Sequence, residues 1–286
     1  MRIQPYVSTE LQFAYAYHIY FRWQTWRRRA INVLSEFDQV EFQSLADEFN
    51  IHVLEMKASS TDLACLLSLR PSDSVSVVAS KLKGRLSKWI GQHRPVGPPM
   101  KSLKAGYFAC SSGKSTAAQI EQYLETQGTH HGYERHARPP VYVMEWPIAN
   151  ESIDWLEATH SRSIVNFHGV LATTNRMGVF TATASEAVAA RWRETERDLK
   201  YFLRKVSFLP DHVHLAVRVH ASVVPAELLL SLMNVAQEVM FDSFSHLVIR
   251  AKVDRIWQPS AYLGSYGELA SPMIQKYIRS WAESDD

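Results

Sequence analysis

The sequence predicts an α+β protein made of two copies of one β-α-β-β-α-β unit, each with an antiparallel sheet and one further helix at its end. Three observations carry this. Strand-like and helix-like periodicities follow one another in the same order in residues 14–127 and 164–283. Tyr107-Phe108, Gly113, Ile120 and Tyr123 have counterparts in Tyr262-Leu263, Gly267, Ile274 and Tyr277, with ten residues from glycine to tyrosine in both. The order itself is the split βαβ, ferredoxin-like or RRM-like unit, in which four strands form one sheet backed by helices. The repeat is too long for a solenoid, so tandem duplication of one domain is the simplest reading.

In the first copy, residues 14–23 are aromatic and β-branched and predict a strand. Leu34, Phe37, Phe42, Leu45 and Phe49 share one face of a helix over 34–49. Residues 50–57 and 61–69 predict two strands joined at Ala58-Ser59-Ser60. A helix starts near Ser72-Asp73-Ser74 and runs to about Ile90, and the Pro/Gly-rich stretch 91–99 is a loop. A short strand over 106–110 and a turn at Ser111-Ser-Gly-Lys114 follow. Thr116 with Gln119 then forms a capping box for a last helix over 115–127.

Residues 128–162 have histidines and prolines but no long helical pattern, and predict a connector. The second copy runs through a strand over 164–172, a turn at 174–177, a helix over 183–200 and a strand over 201–208. After these come the strand 212–219, an apolar helix over 224–244, a basic loop, a strand over 260–264 and a helix over 269–283. The expected domains are therefore 1–127 and 163–286.

The chain has 286 residues, 46% of them hydrophobic, which is enough for one large or two average domains. It has no apolar run of membrane-spanning length, and its N-terminus lacks the apolar core of a signal peptide. Two cysteines are too few for a disulfide framework, and the expected setting is the reducing cytoplasm. Net charge is only +2, but basic side chains cluster among aromatics. Arg22, Arg27, Arg28 and Arg29 accompany Trp23 and Trp26. Lys81, Lys83, Arg85 and Lys88 accompany Trp89, and Arg250, Lys252 and Arg255 accompany Trp257. This pattern suits single-stranded nucleic acid, with cations on phosphates and rings on bases. A solvated surface over buried tryptophans is the alternative.

The strongest chemical signal is Leu209-Pro-Asp-His-Val-His-Leu-Ala-Val217. On a strand His212 and His214 leave one face and can share a cation, while Val213, Leu215, Val217 and Val219 leave the other. Two histidines on the polar face of a half-buried strand would look the same. On the helix over 115–127, Ala117, Ile120 and Leu124 form an apolar stripe, and Tyr123 and Gln127 share a different, polar face. Ser111-Ser-Gly-Lys-Ser-Thr116 is not a Walker loop, because the position five before Gly113 is Phe108. His130, His131 and His136 lack cysteine partners for zinc.

The His-Val-His strand inside such a unit, followed by a helix with one tyrosine, resembles the HUH single-strand DNA nucleases. More closely it is similar to the single-tyrosine transposases of small insertion sequences (TnpA type) and the REP-associated tyrosine transposases. Lys81-Leu-Lys-Gly84 resembles the start of their second helix, and Gly106-Tyr-Phe with Ile120-Glu-Gln-Tyr-Leu-Glu-Thr-Gln127 resembles their tyrosine helix. Such proteins normally carry one domain and act as homodimers with composite sites. The resemblance implies a His pair from one subunit and, from the other, a nucleophilic tyrosine and a glutamine ligand four residues on.

Here the two halves complement each other. The first has Asp62 and Ala64 at the histidine positions but keeps Tyr123 and Gln127; the second has His212 and His214 but Trp281 four residues after Tyr277. A pseudo-dimer of the halves would form one site: catalytic Tyr123, with Mg²⁺ or Mn²⁺ on His212, His214 and Gln127. The resemblance implies cleavage and rejoining of single-stranded DNA near hairpins through a 5′-phosphotyrosine; the residues alone imply a metal-assisted nucleophile. With one site, the expectation is either a dimer of this pseudo-dimer or single-ended cleavage and rejoining. A domesticated, non-catalytic binder of DNA or RNA hairpins is the alternative. A replication or conjugation initiator of the same class would need a further domain.

Overall fold

The computed structural model describes residues 4–93, 102–127, 139–148, 153–157 and 161–267. The helix expected over 269–283, with Tyr277 and Trp281, lies outside the described residues, as do His130, His131 and His136.

The first half contains β1 (Gln12–Gln24), α1 (Asn32–Ser35), α2 (Gln39–Asp47), β2 (His52–Ala58), β3 (Asp62–Leu69), α3 (Val75–His93), β4 (Phe108–Ser112) and α4 (Ala117–Glu125). After β5 (Tyr142–Glu145), the second half contains β6 (Arg162–Thr173), α5 (Ala182–Glu194), α6 (Glu196–Leu199), β7 (Tyr201–Leu209), β8 (His212–Val219), α7 (Pro225–Ser243), α8 (Ser245–Ala251) and β9 (Trp257–Tyr266). This is the mixed α+β order the sequence predicts, with several differences. The helix expected over 34–49 breaks because Asp38 and Glu41 build a capping box and start α2 afresh. The basic loop after residue 244 is helical as α8, closed by Lys252 in the left-handed region at φ 54°. The connector contributes a strand: β5 pairs antiparallel with β7 through Tyr142–Glu145. Four residues close to prolines are too short a pattern to read as a strand.

The strands form one nine-stranded sheet in the order β2-β3-β1-β4-β6-β8-β7-β5, with β9 pairing both β1 and β6. Within each half the pairings are antiparallel. Between halves they are parallel: the start of β1 lies along β9, and the start of β6 along β4.

Matching serines stitch the crossing. Ser265 Oγ accepts from the His18 N–H at 2.7 Å, and Ser111 Oγ accepts from the Asn166 N–H at 2.8 Å. Each serine then donates to a carbonyl of the other half, Ser265 to Ser112 and Ser111 to Tyr266. Gly113 is required beside this crossing, because a Cβ there would lie 1.9 Å from the Ser265 carbonyl oxygen. The turn that resembles a phosphate loop is thus the end of β4, a close approach to β9, and the Thr116 capping box that starts α4.

Strand alternation divides the side chains between two faces. Leu63, Cys65, Leu67 and Leu69 of β3 and Val213, Leu215, Val217 and Val219 of β8 join the main core, together with Val78, Leu82 and Leu86 of α3 and Leu228, Leu229 and Leu232 of α7. The other face carries His212, His214 and Ala216 in the second half, and Asp62, Ala64 and Leu66 in the first. Among the described residues no helix is long and apolar enough to cross a membrane.

Candidate active site

The site lies on the sheet face away from the main core, where α4 of the first half packs against β7 and β8 of the second. Its apolar contact is the predicted stripe: Ala117, Ile120 and Leu124 meet Ala216 and Tyr266. Ion pairs flank it. Glu121 pairs with Arg204, and Glu125 pairs with Lys205 at 2.7 Å. Lys205 is 2% exposed and also meets Glu145 of β5 at 2.8 Å. Burial lowers its pKa, but the hydrogen bonds to Glu125 and Glu145 outweigh that and hold the ammonium charged.

This docking sets Tyr123 edge-on to His214, with ring centroids 5.5 Å apart and planes at 79°. His212 and His214 are neighbours, with centroids 5.0 Å apart. Both are buried, at 3% and 4% exposure. They therefore stand in an enclosed site and not on the polar face of a half-buried strand. Gln127 differs from expectation in its burial. The helix bends at Thr126, and Gln127, helical again after the bend, is fully buried, with Nε2 donating to the Tyr123 carbonyl at 2.9 Å.

Neighbours orient both imidazoles. Asp211 Oδ1 lies 2.6 Å from His212 Nδ1, and Asp211 Oδ2 accepts from Arg176 Nε at 2.8 Å. Burial raises the Asp211 pKa, but the His212 hydrogen bond and the Arg176 charge prevail and keep the carboxyl below its ordinary range. Arg176 reaches it from a turn in which Asn175 and Arg176 both have positive φ, 52° and 57°. His168 of β6 places Nε2 3.0 Å from His214 Nδ1, with the two rings edge to edge and their planes 8° from parallel. Burial pushes the His168 imidazole down to about 4, so it is neutral at pH 7. A cavity of about 790 Å³ opens beside these groups, lined by Gln119, Gln122, Tyr123, His168 and Tyr262 among others.

His168 and Arg176 carry no local sequence signal. Their roles depend on register, which sets His168 opposite Ala216 and Val170 opposite His214.

The donor set fits a divalent cation. Among the described residues Gln127 Oε1 is a buried acceptor with no hydrogen-bond partner, a condition that costs about 1–3 kcal/mol unless something satisfies it. His212 and His214 use Nδ1 for Asp211 and His168, so Nε2 is the ring nitrogen that a cation would take. Among the described residues no three His, Cys, Asp or Glu side chains form a metal cluster. Two imidazoles and an amide oxygen are donor types that a divalent cation takes.

The equivalent positions of the first half are filled differently. Arg22 Nη2 pairs with Asp62 at 2.9 Å, beside Ala64. Of the predicted nucleic-acid contacts, Arg27, Arg28, Arg29, Lys81 and Lys88 are exposed. Arg85 pairs with Glu48, and Lys83 donates to the Ala105 carbonyl. Trp26 is exposed, but Trp23 and Trp257 are core residues, and Trp89 packs on Phe37 at 4.4 Å. Tryptophans there serve packing more than stacking on bases.

Among known families, the one described as Transposase IS200 like matches residues 11–127 and again 161–281. No curated protein is found to match. A candidate transposase of Deinococcus radiodurans R1, known from a crystal structure, is similar over 43% of this chain and 95% of that one, at 22% identity and a TM-score of 0.37. An inactive peptidase M16 domain of Pseudomonas fluorescens is similar over 88% of this chain and 82% of that one, at 10% identity and a TM-score of 0.15. Scores this low carry no inference about fold.

Proposed function

The chain belongs to the IS200-like transposase family, carrying the family's region twice, and from that premise we propose that it is a single-stranded DNA transposase with one composite active site. The two halves, residues 1–127 and 163–286, act as ferredoxin-like domains in a pseudo-dimer joined through 128–162. The strand order β2-β3-β1-β4 in the first half and the reciprocal serine contacts support that arrangement. One observation carries the functional reading: Tyr123, from the first half, stands 5.5 Å from His214 of the second.

His212, His214 and Gln127 would hold Mg²⁺ or Mn²⁺, the nitrogen ligands favouring Mn²⁺. When bound, the cation supplies Lewis-acid polarisation of the scissile phosphate. Tyr123 Oη is the nucleophile. Its bond to phosphorus forms as the bond from phosphorus to the 3′-oxygen breaks; the phenol loses its proton and the 3′-oxygen gains one. The products are a 5′-phosphotyrosine and a free 3′-hydroxyl. A different 3′-hydroxyl reverses the step and joins strands without ATP. Arg27, Arg28 and Arg29 beside exposed Trp26, with Lys81 and Lys88 on α3, bind the strand and its hairpin.

The test is a denaturing gel of the protein with labelled single-stranded hairpin oligonucleotides from its genomic neighbourhood. A covalent adduct is expected with Mn²⁺, and it should vanish with chelator and with Tyr123→Phe. Tight hairpin binding without metal and without adduct would contradict the enzyme reading and favour a binding module.

A further inference from the structure

We infer that His168 is a positioning residue, accepting the Nδ1 proton of His214 and so fixing the tautomer in which His214 Nε2 keeps its lone pair for ligation. Its consequence for metal binding rests on the reading just proposed, whereas the tautomer is a property of the metal-free protein.

A neutral imidazole carries one N–H and one lone pair, and the partner of one nitrogen decides the role of the other. For His212 the partner is a carboxylate. Asp211 only accepts, so Nδ1 bears the proton and Nε2 is the ligand atom. For His214 the partner at the same atom is His168 Nε2, at 3.0 Å. Two nitrogens that close share one proton. If His168 donated it, His214 would carry its own proton on Nε2 and could not ligate beside His212. If His214 donates it, the two rings, 5.0 Å apart on one strand face, present matching lone pairs. His168 thus does for His214 what Asp211 does for His212, without adding charge to the site.

The first half offers an internal comparison. The register that sets His168 opposite Ala216 sets Tyr20 opposite Leu66, and the register that sets Val170 opposite His214 sets Arg22 opposite Ala64. Where His214 is replaced by alanine, His168 is replaced by tyrosine. Ligand and positioning residue are present together in one half and absent together in the other.

The first experiment uses full-length, metal-free protein labelled with ¹⁵N-histidine and long-range ¹⁵N–¹H NMR. His214 is expected as the Nδ1–H tautomer; an Nε2–H tautomer overturns the inference. The second is Mn²⁺ affinity, from electron paramagnetic resonance of free Mn²⁺, with folding of each variant checked by thermal melting. His168→Phe keeps a ring but no acceptor and should weaken Mn²⁺ binding about 10–100-fold. His168→Gln keeps an acceptor and should recover most of that loss. Unchanged affinity in His168→Phe, or equal loss in both variants, overturns the inference. Wild-type protein that binds no Mn²⁺ counts against the proposed function, and the tautomer still decides the role of His168.

Discussion

Gln127 is a buried side chain that is only half satisfied. Its Nε2 donates to the Tyr123 carbonyl, while its Oε1 makes no hydrogen bond among the described residues. Replacing it with leucine removes one hydrogen bond and one unsatisfied acceptor, each worth about 1 kcal/mol and opposite in sign. Gln127→Leu should therefore unfold in metal-free urea within about 1 kcal/mol of wild type, yet lose the stabilisation that added Mn²⁺ gives wild type. A large metal-free loss would make Gln127 a packing residue. At this scale the sequence was legible where a signal is local. Strand period two names His212 and His214, and the glycine-to-tyrosine repeat names Tyr123. Asp211 stands in the same run, but its role, like those of Arg176 and His168, depends on which strand lies beside which.

At the scale of elements, α4 is held less by its own half than by β7 and β8. Its grip is the stripe Ala117, Ile120 and Leu124 plus two ion pairs, Glu121–Arg204 and Glu125–Lys205. Partly exposed pairs contribute up to about 1 kcal/mol each. The double variant Glu121→Ala, Glu125→Ala should therefore raise amide hydrogen exchange in α4 by about tenfold or more while β8 keeps its protection. Equal loosening of α4 and β8 would mean that they open as one unit. The main strands and helices were readable from periodicity, because alternation and apolar stripes are written within each element. Breaks and additions were not. Asp38 restarts a helix inside an apparently continuous pattern, α8 stands where charge suggests a loop, and β5 becomes a strand only because β7 offers it an edge.

At the scale of the molecule, one chain builds a two-sided sheet crossing and places a histidine pair on only one side of it. His212 and His214 face α4, whereas Asp62 is tied to Arg22 and Ala64 offers no ligand. Equilibrium dialysis should find one Mn²⁺ per chain; two would mean that the first half also binds. The order of elements and their duplication could be read from the sequence. The merger of both halves into one nine-stranded sheet could not, since it depends on Ser111, Ser265 and Gly113, whose side chains say nothing until their neighbours are known.

In the proposed arrangement the nucleophile of one half works beside the histidines of the other. This is tested most directly by trapping the covalent protein–DNA species, digesting both components and mapping the nucleotide-bearing peptide by mass spectrometry. A single modified residue is expected, Tyr123. Nucleotide on Tyr277 would overturn this, because the second half would then act with its own tyrosine.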